Sequence, residues 1–334
     1  MNHEIFSGTH YSIGRQWGQK LAHQNVSLLS RIPFPLSEEA RNFASACLPV
    51  YQKFFPEIFD EIRGVADGQG CSPEKLRTLL FSLYSITPGA SCSCFALSGK
   101  GPILLGRNSD FFPELEEQNM NVIYSFSGLS QNFTANTTSF IQMEDGVNRL
   151  GLAVGLTSVW PRRIKPGMNA GMLLRFFLEK CRNVDDVLQS VAEIPVSSSQ
   201  TFTAADPSGR IALIECSSEH VSVRSSPLPR NFLCAVNSFH MSPMDSRQKA
   251  AAEGWFSERR YRTMRDSLTK GRVADASSAQ KLLGGEYGFL CQYPQSTGKD
   301  TVWSVVYDLA NRKIYRAKGN PQRCPFRQDQ RFPF

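Results

Sequence analysis

Residues 92 to 110 constrain this chain more than any other stretch. They read Cys-Ser-Cys-Phe-Ala-Leu-Ser-Gly-Lys-Gly-Pro-Ile-Leu-Leu-Gly-Arg-Asn-Ser-Asp. Residues alternate on each side of the Gly99-Lys100-Gly101-Pro102 turn, which predicts a β-hairpin. A turn centred near residue 100 pairs antiparallel positions whose numbers add to about 200, so residues 107 to 110 lie beside Cys92. A thiol next to a cation, Arg107, and a carboxylate, Asp110, all on rigid strands, is an arrangement suited to catalysis. The plainer alternative is a buried Cys on an ordinary hairpin, because free Cys is among the most buried residue types.

With 334 residues, 41% hydrophobic and 20% charged, the chain has globular composition and length for one large domain or two medium ones. No apolar run approaches the roughly 20 residues that a membrane helix needs. The opening Met-Asn-His-Glu-Ile-Phe-Ser-Gly lacks a basic n-region and an apolar h-region, so the expectation is a soluble, cytoplasmic protein. The nine Cys are odd in number, with Cys92-Ser93-Cys94 the one close pair and no Cys-x-x-Cys. That argues against a disulfide framework and against zinc or another metal. From Ala310 to Phe334 there are seven Lys or Arg against one Asp, nearly the whole net charge of +7. The tail has no recognisable nucleic-acid motif and reads as solvated surface.

The first 91 residues read as all helical. Ser37 is an N-cap before Glu38 and Glu39, and Pro56 suits a helix start with Ile58, Phe59, Ile62 and Val65 behind it, stopped by Gly68 and Gly70. Ser72-Pro73-Glu74 opens another helix with Leu76, Leu79, Leu80 and Leu83 on one face, and Gly89 breaks it. After Cys92 the pattern predicts strands at 121–127, 137–143 and 150–156. Helices follow at 170–181 and after Asn183, then strands at 201–206, 210–216, 220–225 and 231–237. Helices at 257–268 and 277–283 and strands at 301–308 and 313–317 close the chain. Sheets with intervening helix pairs imply a layered α+β domain, with the helical first quarter packed on it.

The motifs in order resemble one family. Gly8-Thr9-His10 through Trp17-Gly18 is similar to its opening motif, and Pro56-Glu57 through Ala66-Asp67-Gly68 to its pro-segment helix. Cys92 with Gly106-Arg107-Asn108-Ser109-Asp110 has its nucleophile-to-Asp spacing. Asp145-Gly146-Val147-Asn148 with Gly151-Leu152-Ala153-Val154, the strand Phe232 to Asn237, and Ser257-Glu258-Arg259-Arg260-Tyr261 resemble its later motifs. The chain thus resembles the autoproteolytic acyltransferases typified by fungal acyl-coenzyme A:6-aminopenicillanate acyltransferase, within the N-terminal-nucleophile (Ntn) hydrolases. It is more distantly similar to bile salt hydrolase and acid ceramidase.

The resemblance implies a four-layer αββα sandwich. It also implies cleavage between Ser91 and Cys92, giving a helical α chain of residues 1–91 that stays associated with a catalytic β chain of residues 92–334. Two positions depart from the pattern. Ser91 stands where a Gly is commoner, and Thr157 where relatives often carry an Asn that donates to the oxyanion. The implied activity is hydrolysis or transfer at linear C–N amide bonds through a Cys92 acyl-enzyme. The partner is a small-molecule amide or acyl donor, with acyl-coenzyme A the donor if transfer is the activity. No cofactor, metal, nucleic acid or membrane is implied.

In that chemistry an N-terminal Cys carries its own base, because an α-amine titrates near 7.7–8. No His is then required in a chain holding five. Arg107 favours the thiolate by its permanent charge, and Asp110 orients the amine. Asn237 donates to the oxyanion, and Arg260 holds substrate or braces Asp110. Read singly, Asp110 with Arg107 is a salt bridge, Asn237 a turn residue and Arg260 a surface charge. Thr157 and Trp160 are candidate substrate contacts, and Trp160, Phe176 and Phe177 either line an acyl pocket or belong to the core. A rival reading is a papain-like hydrolase pairing Cys94 with His240, although Gly99, Gly101 and Pro102 oppose the helix such a Cys opens. A third is an inactive binding module of the same fold.

Overall fold

A computed structural model describes residues 1–30, 36–85, 91–99, 101–128, 130–226, 231–244, 248 and 255–334. The chain opens with strand β1 (Asn2–Gly8) and helices α1 (His10–His23), α2 (Glu38–Phe54), α3 (Glu57–Gln69) and α4 (Pro73–Ser82). Six strands follow: β2 (Ser91–Ser98), β3 (Ile103–Phe111), β4 (Met120–Phe126), β5 (Phe133–Thr137), β6 (Asp145–Asn148) and β7 (Ala153–Ser158). Helices α5 (Ala170–Lys180) and α6 (Val184–Glu193) lead into β8 (Gln200–Ala205), β9 (Ile211–Cys216), β10 (Val221–Ser226) and β11 (Asn231–Ala235). The chain closes with α7 (Ser257–Thr269), α8 (Ala276–Leu283), β12 (Asp300–Asp308), β13 (Lys313–Ala317) and β14 (Arg327–Asp329).

The strands form an eight-stranded sheet, β1-β4-β5-β6-β7-β8-β9-β10, and a six-stranded one, β11-β2-β3-β12-β13-β14. Strands β2, β3 and β11 face β7, β8 and β9 across the interior, while α5 and α6 pack on one outer face and α7 and α8 on the other. This is a four-layer αββα sandwich of α+β class. Strand β2 is buried on both faces. Cys94 and Ala96 enter the cluster between the sheets with Leu105, Val147 and Val305, whereas Phe95 and Leu97 pack with Leu104, Met264 and Leu283 under α7 and α8. The largest cluster, with Trp17, Phe55, Phe81, Phe133, Leu173 and Phe177, fills the space between the eight-stranded sheet and the helices α1 to α6. Each such side chain removed from water contributes about 1.5–3 kcal/mol.

The predicted caps form. Ser37 accepts from the Ala40 N–H, Ser72 from Lys75 and Asn183 from Asp186. Gly70 ends α3 in the left-handed region at φ 62°. Helices α1 and α3 meet backbone to backbone along a glycine seam. A Cβ on Gly14 would lie 2.0 Å from the Glu61 carbonyl oxygen, and one on Gly64 2.1 Å from that of Tyr11.

Two expectations are corrected, and one strand is new. The first quarter is not all helical, because residues 2–8 form β1, parallel to β4 at the edge of the eight-stranded sheet. Its pairing is carried by backbone groups, and Ile5 on its outer side is 63% exposed. No strand spans 137–143. The backbone N–H and hydroxyl of Thr138 both bind the buried Glu144 carboxylate, and Phe140 turns with φ 61°. Strand β14, unpredicted, pairs with β13. Gly89 and Lys100 lie outside the described residues. Among the described residues no helix is long and apolar enough to cross a membrane.

Candidate active site

Pairing of β2 with β3 sets the site. Cys92 stands opposite Ser109, Ser91 opposite Asp110 and Cys94 opposite Arg107. Residues two apart on a strand share a face, so Cys92, Cys94 and Arg107 turn toward the eight-stranded sheet. Ser93 and Asp110 turn toward α7. Ser91 lies within β2 and is buried.

Three side chains grip Cys92. Arg107 Nη2 donates to its Sγ at 2.9 Å. Its backbone N–H donates to Asn237 Oδ1 at 2.9 Å, and its carbonyl accepts from Arg260 Nη1 at 2.6 Å. Arg260 also donates to Asn237 Oδ1 and to Ser93 Oγ, each at 2.9 Å. Asn237 Nδ2 donates to the Ser158 carbonyl at 2.8 Å, so the group expected to face an oxyanion is turned toward the end of β7. Asp110 Oδ2 sits 3.6 Å from Arg260 Nη1. Its carboxylate accepts from Tyr293 OH at 2.8 Å and Thr301 Oγ1 at 2.6 Å. The structure therefore brings Cys92, Arg107, Asp110, Asn237 and Arg260 into one cluster.

Sequence reasoning missed what holds Arg107. Its Nη1 donates to Asp145 Oδ2 at 2.9 Å, its Nε to the Leu156 carbonyl at 2.9 Å, and Nη2 lies 3.4 Å from Glu144 Oε2. Asp145 in turn accepts from Asn136, Trp303 and Tyr307. Asp145 stands in one of the quoted motifs, the one sequence signal pointing to it. Tyr293 and Thr301 had no such signal.

Burial pushes the Cys92 thiol up to about 12, against the pull of Arg107, with Glu144 and Asp110 adding to the rise. Burial also raises Asp110, opposed chiefly by Arg260. For Arg107 burial disfavours the charge, but Cys92, Asp145 and Glu144 outweigh it and hold the guanidinium protonated. A cation is thus aimed at a sulfur that burial keeps as a thiol.

Thr157 is buried, donating to the Val236 carbonyl at 2.6 Å and paired with Thr201 Oγ1 at 2.7 Å. It thereby fixes the backbone just before Asn237. Trp160 lies beyond β7 and is 41% exposed. Phe177 stacks edge-on against Phe202, and Phe176 against Phe55; both belong to the packing around α5. Cys94 lies inside β2 rather than at a helix start, and burial pushes its thiol up to about 12. His240 stacks on Tyr261 with ring centroids 3.7 Å apart and pairs with Ser238 Oγ at 3.1 Å. Among the described residues no hydrogen bond joins Cys94 to His240. No group of three or more His, Cys, Asp or Glu among the described residues is arranged to hold a metal.

A family model described as acyl-coenzyme A:6-aminopenicillanic acid acyl-transferase matches residues 97–323. That span begins just after Cys92 and contains Arg107, Asp110, Asn237 and Arg260. Among solved structures, the chain is similar to the Caenorhabditis elegans ortholog of N-acylethanolamine-hydrolyzing acid amidase (17% identity, 66% of this chain and 93% of that one, TM-score 0.47). A variant of conjugated bile acid hydrolase from Clostridium perfringens is also similar (14% identity, 72% and 97%, TM-score 0.46). So is penicillin V acylase from Agrobacterium tumefaciens (11% identity, 68% and 82%, TM-score 0.41). No curated protein sequence matches.

Proposed function

We propose, since the chain belongs to the acyl-coenzyme A:6-aminopenicillanic acid acyl-transferase family, that it is a self-processing amide hydrolase or acyltransferase with Cys92 as nucleophile. Scission of the Ser91–Cys92 bond makes Cys92 N-terminal, leaving residues 1–91 as an associated α chain and 92–334 as the catalytic chain. The observation that carries this reading is the three-sided grip on Cys92: Arg107 on its sulfur, Asn237 on its nitrogen and Arg260 on its carbonyl.

In processing, Cys92 Sγ attacks the Ser91 carbonyl carbon, and the C–N bond breaks as the nitrogen takes up a proton. The resulting thioester is hydrolysed by water to a Ser91 carboxylate and a free Cys92 thiol and amine. Asn237 Oδ1, already on that nitrogen, retains the amine, and Asp110, opposite Ser91, orients it. An amine titrating near 7.7–8 can then accept the thiol proton, which a peptide nitrogen cannot. The Cys92 thiol thus gains a proton acceptor of its own only once the bond is cut.

In turnover, the thiolate paired with Arg107 attacks the substrate carbonyl carbon. The leaving nitrogen is protonated by the Cys92 ammonium, and a thioester acyl-enzyme forms. Water or an acceptor amine releases the acyl group; a thioester donor such as acyl-coenzyme A would load the same sulfur. Thr157 acts as a positioning residue for Asn237.

Intact mass and N-terminal sequencing of purified protein, together with release of aniline from N-acyl anilides of increasing acyl length, test this. The parent is expected as two chains, the second beginning at Cys92, with turnover that Cys92→Ala abolishes. Parent protein that stays one chain overturns the processing step, and turnover surviving in Cys92→Ala overturns the nucleophile.

A further inference from the structure

Four of the seven Lys and Arg that follow Ala310 line a single cavity. Antiparallel pairing of β13 with β14 sets Arg316 directly opposite Arg327, with Asp329 two residues on. Alternate residues share a face, and Lys318 and Arg331 continue the same alternation beyond the strand ends. These five, with His3 of β1, line a cavity of about 410 Å³ where the edges of the two sheets come together. That volume lies within the range of small-ligand sites, about 300–1,000 Å³.

The charges there do not balance. Like charges directly opposite across a ladder are destabilising. Arg316 is relieved by Asp329 Oδ2 at 2.8 Å, but the same carboxylate also takes Arg331 Nη2 at 2.6 Å. Among the described residues no carboxylate pairs with Lys318 or Arg327. Four permanent cations and one carboxylate thus line the cavity, with Asp145 acting on Arg316 from behind it. The field is felt by His3, pushed down to about 4 by burial and then by Arg331, Lys318 and Arg316. Guanidinium forks match pairs of phosphate oxygens, with an ammonium adding a point charge. A phosphate group, at about −1.5 to −2, neutralises more of this surplus than a single carboxylate can.

We propose that this cavity binds a phosphate-bearing small molecule, with its phosphate oxygens taken by Lys318, Arg327 and Arg331. In sheet order β13 lies three strands from β2, about 14 Å at the usual strand spacing. The site is separate from Cys92 and does not depend on the function proposed for it.

Calorimetric titration of the full-length protein with inorganic pyrophosphate, and separately with inorganic phosphate, tests the assignment. The Lys318→Ala/Arg327→Ala double variant changes two exposed side chains, and its far-ultraviolet dichroism checks the fold. Saturable binding at one site is expected, weakened at least about tenfold by the double substitution, weakened by added salt and unchanged in Cys92→Ala. Ligand should also move the His3 ring-proton titration of the parent protein to higher pH, a readout needing no variant. Absence of saturable binding, binding indifferent to the double substitution, or a static His3 titration overturns the proposal. Binding to vesicles of anionic lipid that pyrophosphate does not displace also overturns it, in favour of a membrane-facing surface.

Discussion

Asn237 Oδ1 receives the backbone N–H of Cys92 at 2.9 Å, while the same side chain donates through Nδ2 to the Ser158 carbonyl at 2.8 Å. Because Arg260 Nη2 also donates to that oxygen, only the oxygen end of the amide can face Cys92. A carboxylate at this position would set an acceptor against the Ser158 carbonyl. Asn237→Asp is therefore expected to slow appearance of the new N-terminal Cys about tenfold, the equivalent of one hydrogen bond near 1.4 kcal/mol. Time-resolved intact mass after refolding reads this directly. Unchanged processing would remove Asn237 from the mechanism.

Cys92 and Cys94 share a strand face, so replacing each separates their roles. Cys92→Ala should leave a single uncut chain and lower amide turnover at least about a thousandfold. Cys94→Ala, in the cluster between the sheets, should lower stability with both activities kept. The opposite pattern would transfer the nucleophile to Cys94.

Arg107 is fully buried and paired with Asp145. Arg107→Met removes the cation and leaves that carboxylate with neutral donors alone. Breaking a buried pair from one side typically destabilises by about 3–5 kcal/mol. Urea denaturation of Cys92→Ala and Cys92→Ala/Arg107→Met, both uncut, isolates the effect. A loss under about 1 kcal/mol would mean that Asn136, Trp303 and Tyr307 suffice to hold Asp145.

Glu179 sets an acid limit on stability. Burial alone would raise its carboxyl, but His10, Arg175 and Lys180 outweigh burial and bring it down to about 2 from 4.5. A folded pKa below the unfolded one gives stability that is fully present above pH 4.5 and lost as pH falls toward 2. Glu179→Gln should flatten the dependence of the urea midpoint on pH in that window. An unaltered slope would show that other carboxylates govern it.

The glycine seam gives a paired test. Gly14→Ala forces α1 off the Glu61 carbonyl, an overpacking expected to cost about 1–3 kcal/mol, seen as a lower melting temperature. Gly101→Ala has nothing within 4 Å of the added carbon and should leave the melting temperature unchanged. Equal effects would place the cause in backbone freedom rather than contact.

The central hairpin was legible because period-two alternation and a Gly-Pro turn are local signals, and the caps at Ser37, Ser72 and Asn183 were legible for the same reason. The links that complete the cluster are not local. Asp145 reaches Arg107 from another sheet, and Tyr293 and Thr301 reach Asp110 from 183 and 191 residues away. Strand β1 escaped notice because parallel pairing at an edge is carried by main-chain groups, with only Phe6 of its side chains buried. Strand β14, three residues long, is too short for any periodicity.

Glu61 of α3 holds Arg175 of α5 through two hydrogen bonds, at 2.7 and 3.1 Å, with Tyr124 of β4 bonded to the same carboxylate. Strand β1, meanwhile, is laced to β4 along all seven of its residues. These ties straddle residue 91. A break there would alter the covalent count of the molecule without altering the number of folded bodies, and the two pieces should part only under denaturant.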